Sequence, residues 1–222
     1  MTERGIRIAP SILTADFAAL GEAVAAVEAA GADLLHLDVM DGHFVPPLTF
    51  GAQMAAALKK RTNLPLDVHL MITEPERHVD SFIDAGADIV TVHAEAAADL
   101  PALLKHIRSR GARASASVNP PTPVNVLFSA LEHMDMALIM SVNPGWGGQK
   151  YIPESTDKIA ALRAEALRLG LALDIEVDGG INFDTVKLAA GAGANVLVAG
   201  SLLFNAADMA AAVQALREAA TK

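Results

Sequence analysis

Four residues carry the sharpest chemistry in this chain: His36, Asp38, His69 and Asp178. In Leu35-His36-Leu37-Asp38-Val39-Met40 an extended backbone would put His36, Asp38 and Met40 on one face. Asp67-Val68-His69-Leu70-Met71 repeats the alternation, and Asp174-Ile175-Glu176-Val177-Asp178 repeats it again. Leucine, valine and isoleucine hold the opposite parity and need an apolar partner layer. The polar parity must then face the inside of a closed sheet. Charged groups there are costly unless paired or bound to metal. One such residue alone is readily satisfied by a neighbour. Two histidines and two aspartates converging at strand ends read better as a metal site. Mixed nitrogen and oxygen donors suit Zn2+, Fe2+, Mn2+ or Co2+.

Three glycine-bearing turns follow other strand patterns. Asn143-Pro144-Gly145-Trp146-Gly147-Gly148-Gln149 exposes backbone N–H groups on a flexible loop, able to close over a ligand or to cradle an anion. Asp178-Gly179-Gly180 and Ala199-Gly200-Ser201 lie where barrel enzymes hold phosphate, after strands seven and eight. Taken singly, such glycines serve equally well as tight turns; the pair of loops favours phosphate. Met40, Met71 and Met140 end the inward parity of three strands. They read either as gap-fillers or as a soft wall beside a reacting carbon.

The elements that must position these groups alternate along the chain. Strands are expected at 6–13, 34–40, 66–71, 89–93, 112–118, 136–141, 171–177 and 195–199. Helical spacing is clearest at 17–30, 51–60, 155–169 and 207–220. Gly31, Gly86, Gly111 and Gly193 stand at helix ends just before strands. Eight βα units without a linker predict one parallel (β/α)8 barrel, a TIM barrel, spanning residues 1–222 as a single domain. A doubly wound open sheet is the alternative. The first βα turn, Leu13-Thr14-Ala15-Asp16-Phe17, lacks the Gly-x-Gly-x-x-Gly dinucleotide fingerprint, which counts against it.

Composition narrows the function. Hydrophobic residues make up 52% of the 222, enough for a sizeable core. The formal net charge is −9 and no Lys/Arg run occurs, so nucleic-acid binding is not expected. There is no cysteine, which rules out disulfides, thiolate metal ligands and a cysteine nucleophile. Residues 1–10 lack a signal-peptide pattern, and no apolar run reaches membrane-span length. A soluble, cytoplasmic protein without membrane partners is the expectation.

These segments together resemble the ribulose-phosphate 3-epimerase family over essentially the full length. The resemblance rests on Ala9-Pro10-Ser11-Ile12-Leu13, on His36 through Pro46, on Asp67 through Met71, on Asn143 through Gln149, on Glu176 through Ile181 and on Ala199-Gly200-Ser201. Six blocks in order make it specific. It implies a (β/α)8 fold and interconversion of D-ribulose 5-phosphate and D-xylulose 5-phosphate, as in the pentose phosphate pathway. It implies one divalent ion per subunit on His36, Asp38, His69 and Asp178, with Zn2+ the first choice. It makes Asp38 and Asp178 the acid–base pair and gives substrate contacts to Ser11, His69, Gly145, Trp146, Gly147, Gly148, Gly179, Gly180, Gly200 and Ser201. It also implies a homo-oligomer. The chain departs from the family pattern at Trp146, where relatives carry Phe, at Pro47 for Asn, at Thr14 for Ser, and at Leu202-Leu203 for a smaller pair.

The implied chemistry suits these residues. A carbon beside a ketone loses its proton to one carboxylate, an enediolate forms, and a second carboxylate returns a proton to the opposite face. Strands two and seven are far enough apart around a barrel to flank a substrate. Rival readings are an epimerase of a six-carbon ketose phosphate such as D-allulose 6-phosphate, a decarboxylase or aldolase, and a non-catalytic sugar-phosphate sensor. An aldolase would want a Schiff-base lysine at a strand end, and Lys150 and Lys187 are expected in a loop and a helix.

Overall fold

A computed structural model describes residues 5–221. Residues 1–4 of the N-terminal segment read above, and residue 222, lie outside the described residues. Eight parallel strands form one sheet: β1 (Arg7–Pro10), β2 (Leu35–Met40), β3 (Leu66–Met71), β4 (Ile89–His93), β5 (Arg113–Val118), β6 (Met136–Met140), β7 (Asp174–Asp178) and β8 (Val196–Ala199). Each pairs with its sequence neighbour from β2 through β8, and β8 pairs with β1. Among the described residues the ring closes between β1 and β2 by a single parallel bridge, Ser11 opposite His36. This is the (β/α)8 barrel that the alternation predicts.

Side-chain parity sorts the core into two parts. Leu35, Leu37, Val39, Val68, Leu70, Val90, Val92, Ile139, Ile175, Val177 and Leu197 point outward and are buried beneath the helices in one large cluster. Ala9, Leu34, Ile89, Met136, Val196 and Val198 form a separate inner plug. A leucine such as Leu37, 0% exposed, contributes through packing as well as transfer; Leu37→Ala would cost about 2–5 kcal/mol. Above the plug the inward positions turn polar.

The outer layer contains α1 (Leu20–Ala29), α2 (Ala52–Lys59), α3 (Val79–Asp84), α4 (Leu100–Ser109), α5 (Ser155–Arg168), α6 (Thr185–Gly191), α7 (Ser201–Phe204) and α8 (Met209–Ala219). Between β5 and β6 the expected α-helix is instead a 3-10 helix, Val124–His133. Among its buried residues Val124, Leu127 and Ala130 are three apart, the repeat of a helix with three residues per turn.

Strand ends also differ from expectation. β7 starts at Asp174 rather than 171 because Leu171 still belongs to the end of α5. Its N–H bonds the Ala166 carbonyl at 2.9 Å and that of Gly170, at φ 67°, bonds Leu167 at 3.1 Å, a Schellman stop. β1 stops at Pro10 because Ser11 caps a short 3-10 turn, Ile12–Thr14, accepting the Leu13 N–H at 3.3 Å. No helix among the described residues is long and apolar enough to cross a membrane.

Candidate active site

The polar inward positions of β2, β3 and β7 meet at the C-terminal end of the barrel. His36, Asp38, His69 and Asp178 each offer a ligand atom, and these atoms lie within 4.8 Å of one another. The β2–β3 register sets Asp38 opposite His69 and His36 opposite Asp67. Asp38 is the hub. Its Oδ2 accepts the Ser11 hydroxyl at 2.5 Å, and its Oδ1 lies 3.2 Å from His69 Nδ1 and 3.4 Å from His36 Nε2.

A second ring of groups supports the first. His36 Nδ1 is 2.7 Å from Asp67 Oδ2 and 3.5 Å from Glu176 Oε1. His69 Nε2 is 2.8 Å from His93 Nε2. The backbone oxygen of Asp178 accepts the Ser141 N–H at 2.8 Å and its hydroxyl at 2.9 Å. The same hydroxyl reaches Gly179 O at 2.7 Å, tying the turn after β7 to the end of β6.

Electrostatics splits the two aspartates. Burial pushes Asp178 up to about 7, with the Asp38 charge adding to it. Burial also opposes ionisation of Asp38, but His36 and the hydrogen bond from His69 outweigh it and hold Asp38 well below the usual carboxylate range. At neutral pH Asp38 is ionised while Asp178 retains a proton part of the time, so the pair holds one acceptor and one donor. Burial brings His69 down to about 4, so its imidazole is neutral. Burial would lower His36 too, yet Asp38 and Asp67 raise it. Glu176 is pushed well up by burial and by the Asp67 charge.

The donor set fits a divalent cation. His36 Nε2 is completely buried, has no hydrogen-bond partner and faces the carboxylates, while its Nδ1 is already engaged by Asp67. A carboxylate behind an imidazole is the usual support of a ligating histidine.

A cavity of about 550 Å³ opens over this cluster. Ser11, Asp38 and Asp178 reach its floor, and Met40, Met71 and Met140 form its wall. Gly145, Trp146, Gly147, Gly148, Gly179, Gly180, Gly200 and Ser201 line the rest. His36 and His69 sit behind the aspartates, both 0% exposed. The long loop is braced from within: Gln149 Nε2 donates to Asn143 O at 2.7 Å and to Trp146 O at 2.8 Å. Trp146 itself is 63% exposed at the mouth. Gly180, at φ 64°, passes so close to Tyr151 that a Cβ would lie 2.7 Å from the Tyr151 Cα. Leu202 lines the cavity, whereas Leu203 is a core residue.

Sequence reasoning singled out the four-residue cluster, the methionine wall and the glycine turns, and missed His93, Ser141 and Tyr151. The strand of His93, Ile89-Val90-Thr91-Val92-His93, does place it on the inward parity with Thr91. What the sequence hides is the pairing of its ring with His69 across two strands.

Comparison with known proteins gives one consistent result. The family model described as the ribulose-phosphate 3 epimerase family matches residues 7–204. A ribulose-phosphate 3-epimerase from Bacillus subtilis is 48% identical over 213 residues, covering 96% of this chain and 98% of that protein. One from Synechocystis is 50% identical over 216 residues, covering 96% and 94%. Among solved structures, KGPDC from Streptococcus mutans superposes with a TM-score of 0.73 at 16% identity, over 97% of each chain, a likeness of fold alone. With its barrel, its strand-end cluster and relatives of this identity and coverage, the chain belongs to the ribulose-phosphate 3-epimerase family.

Proposed function

We infer that this protein is an isomerase that interconverts D-ribulose 5-phosphate and D-xylulose 5-phosphate. The observation that carries the reading is the split pair Asp38 and Asp178 on the floor of one cavity. The names of the most similar relatives support it.

In this reading the sugar lies between the two aspartates with its phosphate toward the turns after β7 and β8. Backbone N–H groups around Gly179, Gly180, Gly200 and Ser201 hold the phosphate. An ionised carboxylate takes the proton from the carbon beside the ketone, leaving its electron pair in the enediolate. The protonated carboxylate on the other side gives its proton to the opposite face of that carbon. Configuration inverts, and the two aspartates exchange protonation states, so the reverse reaction uses them in reversed roles. His36, Asp38, His69 and Asp178 would hold a divalent ion, which when bound stabilises the negative charge of the enediolate as a Lewis acid. Ser11, through its 2.5 Å hydrogen bond, fixes the rotamer of Asp38. The methionines offer the reacting carbon a polarizable, water-poor wall. The loop around Trp146 closes over the sugar and keeps water from the enediolate.

The finer assignments belong to the same proposal: Zn2+ as the ion, a homo-oligomer, and a cytoplasmic role in pentose phosphate metabolism. Metal analysis of purified protein, light scattering and cell fractionation test them in turn.

One observation keeps a second reading open. Leu202, bulkier than the family pattern, lines the cavity near the phosphate turns. An epimerase of a six-carbon ketose phosphate such as D-allulose 6-phosphate would differ there first. Measuring kcat/KM for both sugar phosphates and for unphosphorylated ribulose decides among these. The pentulose phosphate should lead, and free ribulose should be far slower because it lacks the anchoring phosphate. A faster hexulose phosphate would move the assignment, and no turnover of any sugar phosphate would favour the sensor reading.

A further inference from the structure

His69 has two ring nitrogens, and the structure gives each one a partner. Nδ1 faces Asp38 Oδ1 at 3.2 Å, and Nε2 meets His93 Nε2 at 2.8 Å. Two ring nitrogens at that distance share one proton, so the tautomers of the two histidines are linked. If His93 donates, His69 carries its own hydrogen on Nδ1 and has no lone pair there. If His69 donates, its Nδ1 is free to ligate and the hydrogen of His93 falls on Nδ1.

Glu95 faces the other ring nitrogen of His93. Its Oε2 is 3.5 Å from His93 Nδ1. Its other oxygen is anchored by the Asn119 N–H at 2.8 Å. A carboxylate facing a ring nitrogen favours N–H there over a lone pair. Lys158 reinforces the anchor from α5: its ammonium donates to the carbonyls of Asn119 at 3.1 Å and of Thr122 at 2.6 Å. Phe44 covers the His93 ring with centroids 4.7 Å apart.

We propose that His93 and Glu95 are positioning residues that hold His69 in the tautomer whose Nδ1 lone pair is available to a metal ion. The proposal rests on the metal reading above. The two ligating histidines would then be supported differently: His36 directly by Asp67, and His69 through a second imidazole.

The test measures Co2+ affinity by competition with a chelator, beside the cobalt absorption spectrum and the circular dichroism of each variant. His93→Phe keeps an aromatic ring under Phe44 but cannot accept a hydrogen bond. It should weaken Co2+ binding roughly 10–100-fold, the usual size of an outer-ligand effect. His93→Gln keeps an acceptor and should recover much of the loss. Glu95→Gln removes the charge at the far end and should weaken binding roughly tenfold. It also covers the case in which His93→Phe does not fold. Nitrogen-15 chemical shifts of the parent should place the His93 hydrogen on Nδ1. Folded His93→Phe or Glu95→Gln protein with parental Co2+ affinity and spectrum would overturn the proposal while the metal reading stands. A parent that takes up no ion, with His36→Gln no different, would overturn both.

Discussion

Asp38 and Asp178 present carboxylate oxygens within 4.8 Å of each other, yet one is held ionised and the other is pushed up to about 7. Two like charges so close cannot both ionise freely, and the partner nearer to His36, His69 and Ser11 keeps its charge.

That inequality makes a specific forecast for Asp178→Asn. Net epimerisation should fall by roughly 10²–10⁴-fold. Asp38 should still remove and return a proton on its own face. In deuterated water, one epimer should then take up deuterium at its C3 carbon without being converted. Mass spectrometry of recovered substrate reads this directly. Full turnover in both directions would end the two-base scheme.

Metal removal should act on stability as well as on rate. Dialysis against a chelator should abolish turnover, and returning Zn2+, Mn2+ or Co2+ should restore it. A ligand at 100 times its Kd adds about 2.7 kcal/mol to folding, so the melting temperature should rise with added ion. His36→Gln should lose that rise. Chelated protein with unchanged activity and melting temperature would sink the metal reading.

Two glycines that line the cavity, Gly180 after β7 and Gly148 on the long loop, should respond differently to alanine. At Gly180 a Cβ would press on the Tyr151 backbone, which cannot swing away, and φ is 64°. At Gly148 φ is 74° but the space is open. Gly148→Ala should cost only the strain of a left-handed residue, about 1–2 kcal/mol. Gly180→Ala should cost more and should also raise KM for the sugar phosphate. Equal urea midpoints for the two variants would contradict the packing argument.

Asp41 offers a pH signature away from the cluster. Burial opposes its ionisation. The N–H groups of Thr73, His43 and Phe44 and the Thr73 hydroxyl nevertheless bring its carboxyl down to about 2. A depressed folded value means that the contribution is complete above the unfolded value, about 3.9, and fades as pH falls towards 2. Asp41→Asn should therefore be less stable than the parent at pH 7, with the gap narrowing below pH 4. Urea titrations at pH 7, 4 and 3 check the trend.

Trp146 is the sole tryptophan of the chain and stands 63% exposed on the long loop. Closure over a ligand should shift its emission to the blue. An emission spectrum unaltered by saturating sugar phosphate would speak against a moving loop.

Much of this site was legible because strand parity is a strong signal. Leu35 and Leu37 against His36 and Asp38 already separate a helix-facing side from an interior one. The cavity wall of Met40, Met71 and Met140 follows from the same rule. The 3-10 segment Val124–His133 was not legible as such, since a three-residue spacing of apolar groups also fits the first turns of an α-helix. His93 escaped because its partner lies on another strand, and register is a tertiary property. The late start of β7 was hidden because Leu171 suits a strand as well as it suits the cap of α5.

Ser11 opposite His36 is the one bridge where the ring joins β1 to β2 among the described residues. The same serine holds Asp38 by its hydroxyl. Closing the ring at this seam and orienting the Asp38 carboxylate thus rest on one residue. A folding intermediate with its other seams zipped would have nearly all of its secondary structure and no turnover. If this seam forms last in refolding, activity returns after circular dichroism, and the lag times the seam; simultaneous recovery would show that it does not form last.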